Sequence, residues 1–214
     1  MHVASLYASA IASGALKDVG LTIVSSLIAL LLGIAGALAR LYGGSVIGGL
    51  VYWYVELIRG LPAILQLFII FFGLTQFGID LSPVAASVLW LVAYGTGYAV
   101  EIFRAGIMEV PTGQREAADA LGLSSLKILQ KIIVPQAWVG MLPNLTSFLV
   151  LQLKNTTLLY LVGYADIMYQ ARLGADATEQ PGILYLMAAL AYLVIALVIA
   201  VAGLRMERRA ALYR

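Results

Sequence analysis

The chain has 214 residues, of which 62% are hydrophobic and only 11% charged, and its mean hydropathy is +0.96. A water-soluble domain carries about 25% charged residues, so this composition marks an integral membrane protein. The net charge of +2 is too small to suggest a nucleic-acid partner, and the absence of cysteine removes thiol catalysis and Cys-based metal sites.

The N-terminal stretch MHVASLYASAIASGALKDVG lacks the basic start of a signal peptide and meets Lys17-Asp18 before the first long apolar run. It reads as a retained segment, a short helix or a frayed tail. A membrane span needs about 20 apolar residues, and the first such run is Val19 to Ala39, closed by Arg40. A glycine-rich patch, YGGSVIGG, then leads through LVYWYVELIRG to LPAILQLFIIFFGLTQFG, residues 61–78. The second span either begins near Ile47 and kinks at Pro62, or begins at Leu61 after an interfacial helix; proline is tolerated in both settings. Glu56 and Arg59, three residues apart, are expected to pair at the cytoplasmic rim, and Gln66 to reach toward a central path. The turn signal DLSP introduces a third span, Val84 to Phe103. A fourth runs from about Gly140 to Gly163, and a fifth, after EQPG, from Ile183 to Leu204.

The expectation is therefore an all-α polytopic membrane protein with five transmembrane helices, one domain over residues 1–214. Lysine and arginine are enriched on the cytoplasmic side of a membrane. With the N-terminus out and the C-terminus in, Arg40, Arg59, Arg104, Arg115, Lys127, Lys131, Arg205, Arg208, Arg209 and Arg214 fall inside. Lys17 and Arg172 fall outside, and Lys154 is buried within the fourth span. That imbalance selects the orientation.

A single long polar stretch, about residues 104–139, separates the third and fourth spans. After the turn VPTGQ, REAADAL is a strong helix former ended by Gly122 as C-cap. A second helix starts at Ser124 or Ser125 as N-cap. Its Leu126, Leu129, Ile132 and Ile133 recur at helical spacing, and Pro135 ends or kinks it. The stretch is either an amphipathic loop resting on the membrane surface or a short projecting helix that plugs into a cytoplasmic partner.

Glu116-Ala117-Ala118, Gly122, Ile132 and Pro135 resemble the EAA motif of bacterial ABC importer permeases, with Val134 in a position usually held by leucine. YVELIRGLPAILQLFIIFFGL, VEIFRAGIMEVPTGQREAADALGL and LKNTTLLYLVGYADI are similar to the subfamily that imports polar amino acids. The resemblance spans about Gly20 to Arg209. It implies a type I ABC importer-like permease subunit, non-catalytic, in a bacterial or archaeal inner membrane. It further implies a second permease subunit, identical or homologous, together with two ATP-binding subunits docked through Glu116, Ala117, Ala118 and Gly122. An extracytoplasmic solute-binding protein would deliver the amino acid. ATP and Mg would belong to the partner ATPase, for this chain carries no phosphate-binding loop of the GxxxxGK[ST] type. A self-contained secondary transporter or channel is the competing reading, and a non-transporting membrane anchor a third; five spans without an internal repeat argue against the former.

Within the fourth span, Gln152, Lys154, Asn155, Thr156 and Thr157 interrupt an apolar helix. A lysine at that depth costs about 3 kcal/mol on insertion scales. On a straight helix Asn144, Ser147, Leu151, Lys154, Asn155 and Leu158 share one face. This polarity is either an interhelical clamp or the lining of a path for a zwitterionic solute, with Lys154 drawing a carboxylate and Asn155, Thr156 and Gln152 offering neutral hydrogen bonds. Tyr94, Gly97, Tyr98 and Glu101 form a comparable face on the third span. There the tyrosines offer hydroxyls, Gly97 allows close helix approach, and Glu101 is positioned to pair with Arg104. Asp166 is expected to cap a short outer helix. No metal site and no catalytic residue is expected in the chain.

Overall fold

The computed structural model describes residues 2–211; Met1 and residues 212–214, and with them Arg214 of the expected inside set, lie outside the described residues. Among the described residues every regular element is helical. Helix α1, His2–Tyr42, runs 41 residues without a break, about 60 Å at 1.5 Å per residue, twice the roughly 30 Å hydrocarbon core. The N-terminal segment is thus neither a separate short helix nor a tail. Lys17-Asp18 does not interrupt it, because the preceding turns are anchored by packing: Ile11 is buried with Ile167, Ala171, Ala175, Leu184 and Ala188.

Helix α2, Gly44–Gly60, and helix α3, Ala63–Phe68, prolonged by one π turn over Ile69–Gly73, meet at 109°. That angle exceeds a proline kink within one rod, so α3 begins afresh after Pro62, whose ψ of 133° is extended. The C-terminal carbonyls of α2 lack helical donors. Gln66 supplies them: its Nε2 donates to the carbonyls of Ile58 at 2.8 Å and Leu61 at 2.9 Å. Gln66 is buried at this corner, where it braces the bend instead of reaching toward a path. Glu56 is exposed and forms no ion pair among the described residues; Arg59 turns instead to Glu101, 4.0 Å away.

Helix α4, Pro83–Glu109, is the central element, with Ser82 Oγ accepting from the Ala85 amide at 3.2 Å to cap it. It packs on α1, α2 and the fourth span. The close crossing with α2 depends on Gly97, where a Cβ would stand 2.7 Å from Ile58 Cγ2. Gly97 therefore serves helix approach.

Helix α5, Thr112–Ala120, ends in a Schellman motif: Gly122 at φ 73° donates to the Asp119 carbonyl, and the Leu123 amide to the Ala118 carbonyl. The chain then runs through α6, Ser125–Ile128, a π turn over Leu129–Ile133, and α7, Val134–Asn155, into a 3-10 segment, Thr156–Val162. Pro135 neither ends this run nor does the span begin at Gly140, since residues 125–162 form one continuous helical rod. A proline has no amide for the carbonyl four residues back, and the preceding π turn, with its i→i+5 pattern, absorbs the mismatch. It also changes which residues face inward. Ile128 and Ile133, five apart, are buried, whereas Leu126 is 62% exposed. Ser124 holds the N-cap position by backbone geometry, without a side-chain bond.

Helix α8, Ile167–Thr178, is capped by Asp166, whose Oδ1 accepts from the Tyr169 amide at 2.5 Å. Helix α9, Pro181–Ala211, completes the chain. Four helical rods are long and apolar enough to cross a membrane unaided, and the bent pair α2–α3, counted as one unit, makes five.

Candidate functional site

The polar residues of the fourth span divide into two sets. Asn144, Ser147 and Lys154, spaced along one face of α7, are exposed on the single chain, with Leu151 half-buried between them. Ser147 and Leu151 line both of two adjoining grooves. One, about 210 Å³, is completed by Tyr98, Ile102, Asn144 and Phe148; the other, about 410 Å³, by Thr146, Val150, Lys154 and Ala200. Lys154 makes neither an ion pair nor a side-chain hydrogen bond among the described residues. A polar face carrying an unpaired ammonium cannot be left against hydrocarbon.

The second set is internal. Gln152 is fully buried and its Nε2 donates to the Leu91 carbonyl at 3.0 Å, tying α7 to α4. Gly95 makes room for it, since a Cβ there would lie 2.6 Å from that nitrogen. Asn155 is buried beside Tyr94, with no hydrogen bond to its Nδ2. Thr156 is buried, donates to the Leu153 carbonyl at 2.8 Å, and approaches the Tyr192 hydroxyl at 3.5 Å. Thr157 donates to the Lys154 carbonyl. These threonine bonds fall where α pitch tightens into 3-10, so the local rewinding and the polar run coincide. Tyr94 is buried and donates to the half-buried Tyr98 hydroxyl at 3.1 Å. Tyr98 is thus the member of the α4 face that reaches the grooves.

At one end of the bundle, Glu101 is the hub of three guanidinium groups: Arg40, Arg104 at 2.9 Å and Arg59 at 4.0 Å. The expected Glu101–Arg104 pair forms; the Arg40 and Arg59 contacts come from other helices and have no local signature. Arg40 also lies over the Tyr52 ring, 5.0 Å from its centroid. Beyond this hub stands α5, where Glu116 and Ala117 are exposed and Ala118 packs inward on Ile128 and Ile133. The third residue of the Glu-Ala-Ala run therefore holds α5 to α6, and the first two face outward. The His, Cys, Asp and Glu residues described form no group of three that could hold a metal ion.

The helices and their exposed polar stripe define a multi-span membrane protein with an unpaired lysine on a membrane-length helix. Residues 14–211 match the model of the binding-protein-dependent transport system inner membrane component family, and the chain belongs to that family, the permease subunits of ABC importers. It is 32% identical over 200 residues to the L-cystine transport system permease protein TcyB of Bacillus subtilis, covering 93% of this chain and 86% of the relative. It is 34% identical over 204 residues to the arginine ABC transporter permease protein ArtQ of Haemophilus influenzae, covering 92% and 91%. A crystal structure of an amino acid ABC transporter with histidines superposes with a TM-score of 0.91 at 32% identity, covering 96% of each chain.

Proposed function

We propose that this chain is the permease subunit of an ATP-driven importer of polar amino acids, working as a homo- or heterodimer whose path follows the exposed stripe of α7. The observation that carries this reading is Lys154, exposed and unpaired with Asn144 and Ser147 on one face of a spanning helix. A second permease subunit closing over that stripe encloses a polar path that one chain of five membrane units lacks room to form. Lys154 and Tyr98 line the path; Gln152, Asn155, Thr156, Tyr94 and Gly97 hold it in shape. The ammonium receives the solute carboxylate as a point charge, favouring acidic and neutral polar amino acids over cationic ones.

Glu116 and Ala117 on α5, held by the Gly122 cap, dock one of two ATP-hydrolysing subunits, which supply the ATP and Mg chemistry. An extracytoplasmic binding protein delivers the amino acid. The N-terminus lies outside and the C-terminus inside, in a bacterial or archaeal inner membrane. This orientation is supported by Arg40, Arg104, Arg115, Lys127, Lys131 and Arg205, which fall at the α5 end of their helices.

The test is uptake and amino-acid-stimulated ATP hydrolysis by the reconstituted complex, screened across amino acids. Lys154→Ala assembles normally and loses uptake by roughly tenfold or more, the worth of a hydrogen bond to a charged group. Wild-type uptake by that variant overturns the path assignment.

A further inference from the structure

At the end of the bundle opposite α5, two carboxylates are enclosed together. Asp18 of α1 and Asp166 at the start of α8 are both 0% exposed. Their geometry is set by Gly14, where a Cβ would stand 2.7 Å from the Ile167 amide nitrogen; α1 therefore lies directly on the backbone that opens α8. One turn further on, Asp18 Oδ2 accepts from the Ile167 amide at 3.2 Å and from the Tyr192 hydroxyl at 3.0 Å. Asp166 Oδ1 accepts from the Tyr169 amide. The remaining oxygens, Asp18 Oδ1 and Asp166 Oδ2, are buried without a hydrogen-bond partner.

No cation offsets the pair among the described residues. The other titratable groups facing it are Tyr192 from α9 and Tyr164 from the turn before α8, both neutral hydroxyls. Lys17 is exposed on a different face of α1, and Arg172 is engaged with Asp176 at 3.7 Å and the Tyr160 ring. The first amides of α8 supply part of the compensation, as a helix N-terminus does. Two ionised carboxylates still cannot be kept dry on amides alone; a buried charge without a partner neutralises instead.

We propose that Asp18 and Asp166 form a proton-binding site, a carboxylic acid–carboxylate pair holding one proton taken from solvent, which clamps α1 to α8 at the outer end of the permease. One proton removes the repulsion between the two enclosed charges while Asp18 Oδ2 and Asp166 Oδ1 go on accepting from the α8 amides. Burial and the neighbouring Asp18 charge raise the Asp166 carboxyl to about 7, in keeping with a proton retained near neutrality. The clamp continues inward: Tyr192 joins Asp18 to Thr156, the first residue of the 3-10 segment beyond Lys154. Losing the proton sets two like charges against each other at this joint.

The sign follows from linkage. The folded chain binds more protons than the unfolded one between the ordinary carboxylate range and about 7, so stability falls as pH rises through that window. The test is the melting temperature of the assembled importer in lipid nanodiscs, measured from about pH 5 to about pH 9. Asp166→Asn and Asp18→Asn both keep an acceptor oxygen, and Asn caps a helix as well as Asp does. Wild type is expected to lose several degrees between about pH 5 and about 7 and to change little above that. Each asparagine variant is expected to fold and to show a flattened profile over that window. A wild-type profile in both variants overturns the proposal. So does saturable rescue of that loss by sodium but not by choline chloride, which assigns the site to a metal cation. The measurement does not depend on which solute is carried, so its failure leaves the transport reading untouched.

Discussion

Replacing Gly122 with alanine separates backbone conformation from every other property of helix α5. The residue sits at φ 73°, and a Cβ built there meets nothing within 4 Å, so the substitution introduces no clash and removes no contact. What it costs is the left-handed conformation itself, about 1–2 kcal/mol for a residue with a side chain. That cost loosens the bonds from Gly122 to Asp119 and from Leu123 to Ala118, leaving α5 held mainly by Ala118 against Ile128 and Ile133. A loss of this size raises the open population of α5 by roughly 5–30-fold. Hydrogen exchange over residues 114–123 in the purified permease reads it directly, and retention of the ATPase subunit on the assembled complex reads its consequence. Gly113→Ala is the control, since Gly113 lies within the first turn of α5 with open space around it and no positive φ. Unchanged exchange in Gly122→Ala, or an equal rise in both variants, refutes the assignment of Gly122 as the cap that holds the proposed docking helix.

Two further perturbations test the framework around the proposed path. Glu101→Gln leaves Arg40, Arg59 and Arg104 without their shared carboxylate, a loss on the order of 2 kcal/mol for charge-assisted bonds; Arg59→Ala, removing a 4.0 Å partner that is 48% exposed, costs under about 1 kcal/mol. Thermal unfolding of the two variants should rank them in that order, and the reverse ranking dismisses Glu101 as the hub. Gln66→Leu removes both bonds to the Ile58 and Leu61 carbonyls and should lower stability by about 1–3 kcal/mol. A spin-label pair across the α2–α3 corner should show a broadened distance distribution, and an unchanged one would show that the corner holds without Gln66.

The spanning helices were legible because each is a long apolar run, a signal carried by consecutive residues. Two caps were legible for the same reason: Gly122 and Asp166 act on backbone groups within a few positions. Features that depend on pairs distant in sequence were not. Glu56 and Arg59 have good local spacing, yet Arg59 goes to Glu101 on another helix, and the Arg40–Glu101 and Gln152–Leu91 contacts each join residues 61 positions apart. The buried face of the segment before Pro135 was misread because a π turn replaces the 3.6-residue period with a longer one. In the candidate site, helical spacing gave the shared exposure of Asn144, Ser147 and Lys154, but Asn155, expected on the same face, is buried. The division of its polar run into an exposed Lys154 and a buried Gln152 and Thr156 required the packing of α4 and α9. Asp18, read as the edge of a span, carried no sign that it meets Asp166 148 residues later.

The switch of pitch at Thr156 makes the fourth span a screw with two threads. An α-helix advances about 1.5 Å per residue at 3.6 residues per turn, and a 3-10 helix about 2.0 Å at 3.0 per turn. Each residue that crosses the boundary therefore shortens or lengthens the rod by about 0.5 Å and rotates everything beyond it by about 20°. Movement of the boundary by two residues turns Lys154 relative to the outer end by about 40°, with a change in length of only about 1 Å. Rewinding at this boundary thus redirects an ammonium group without sliding a helix along its axis.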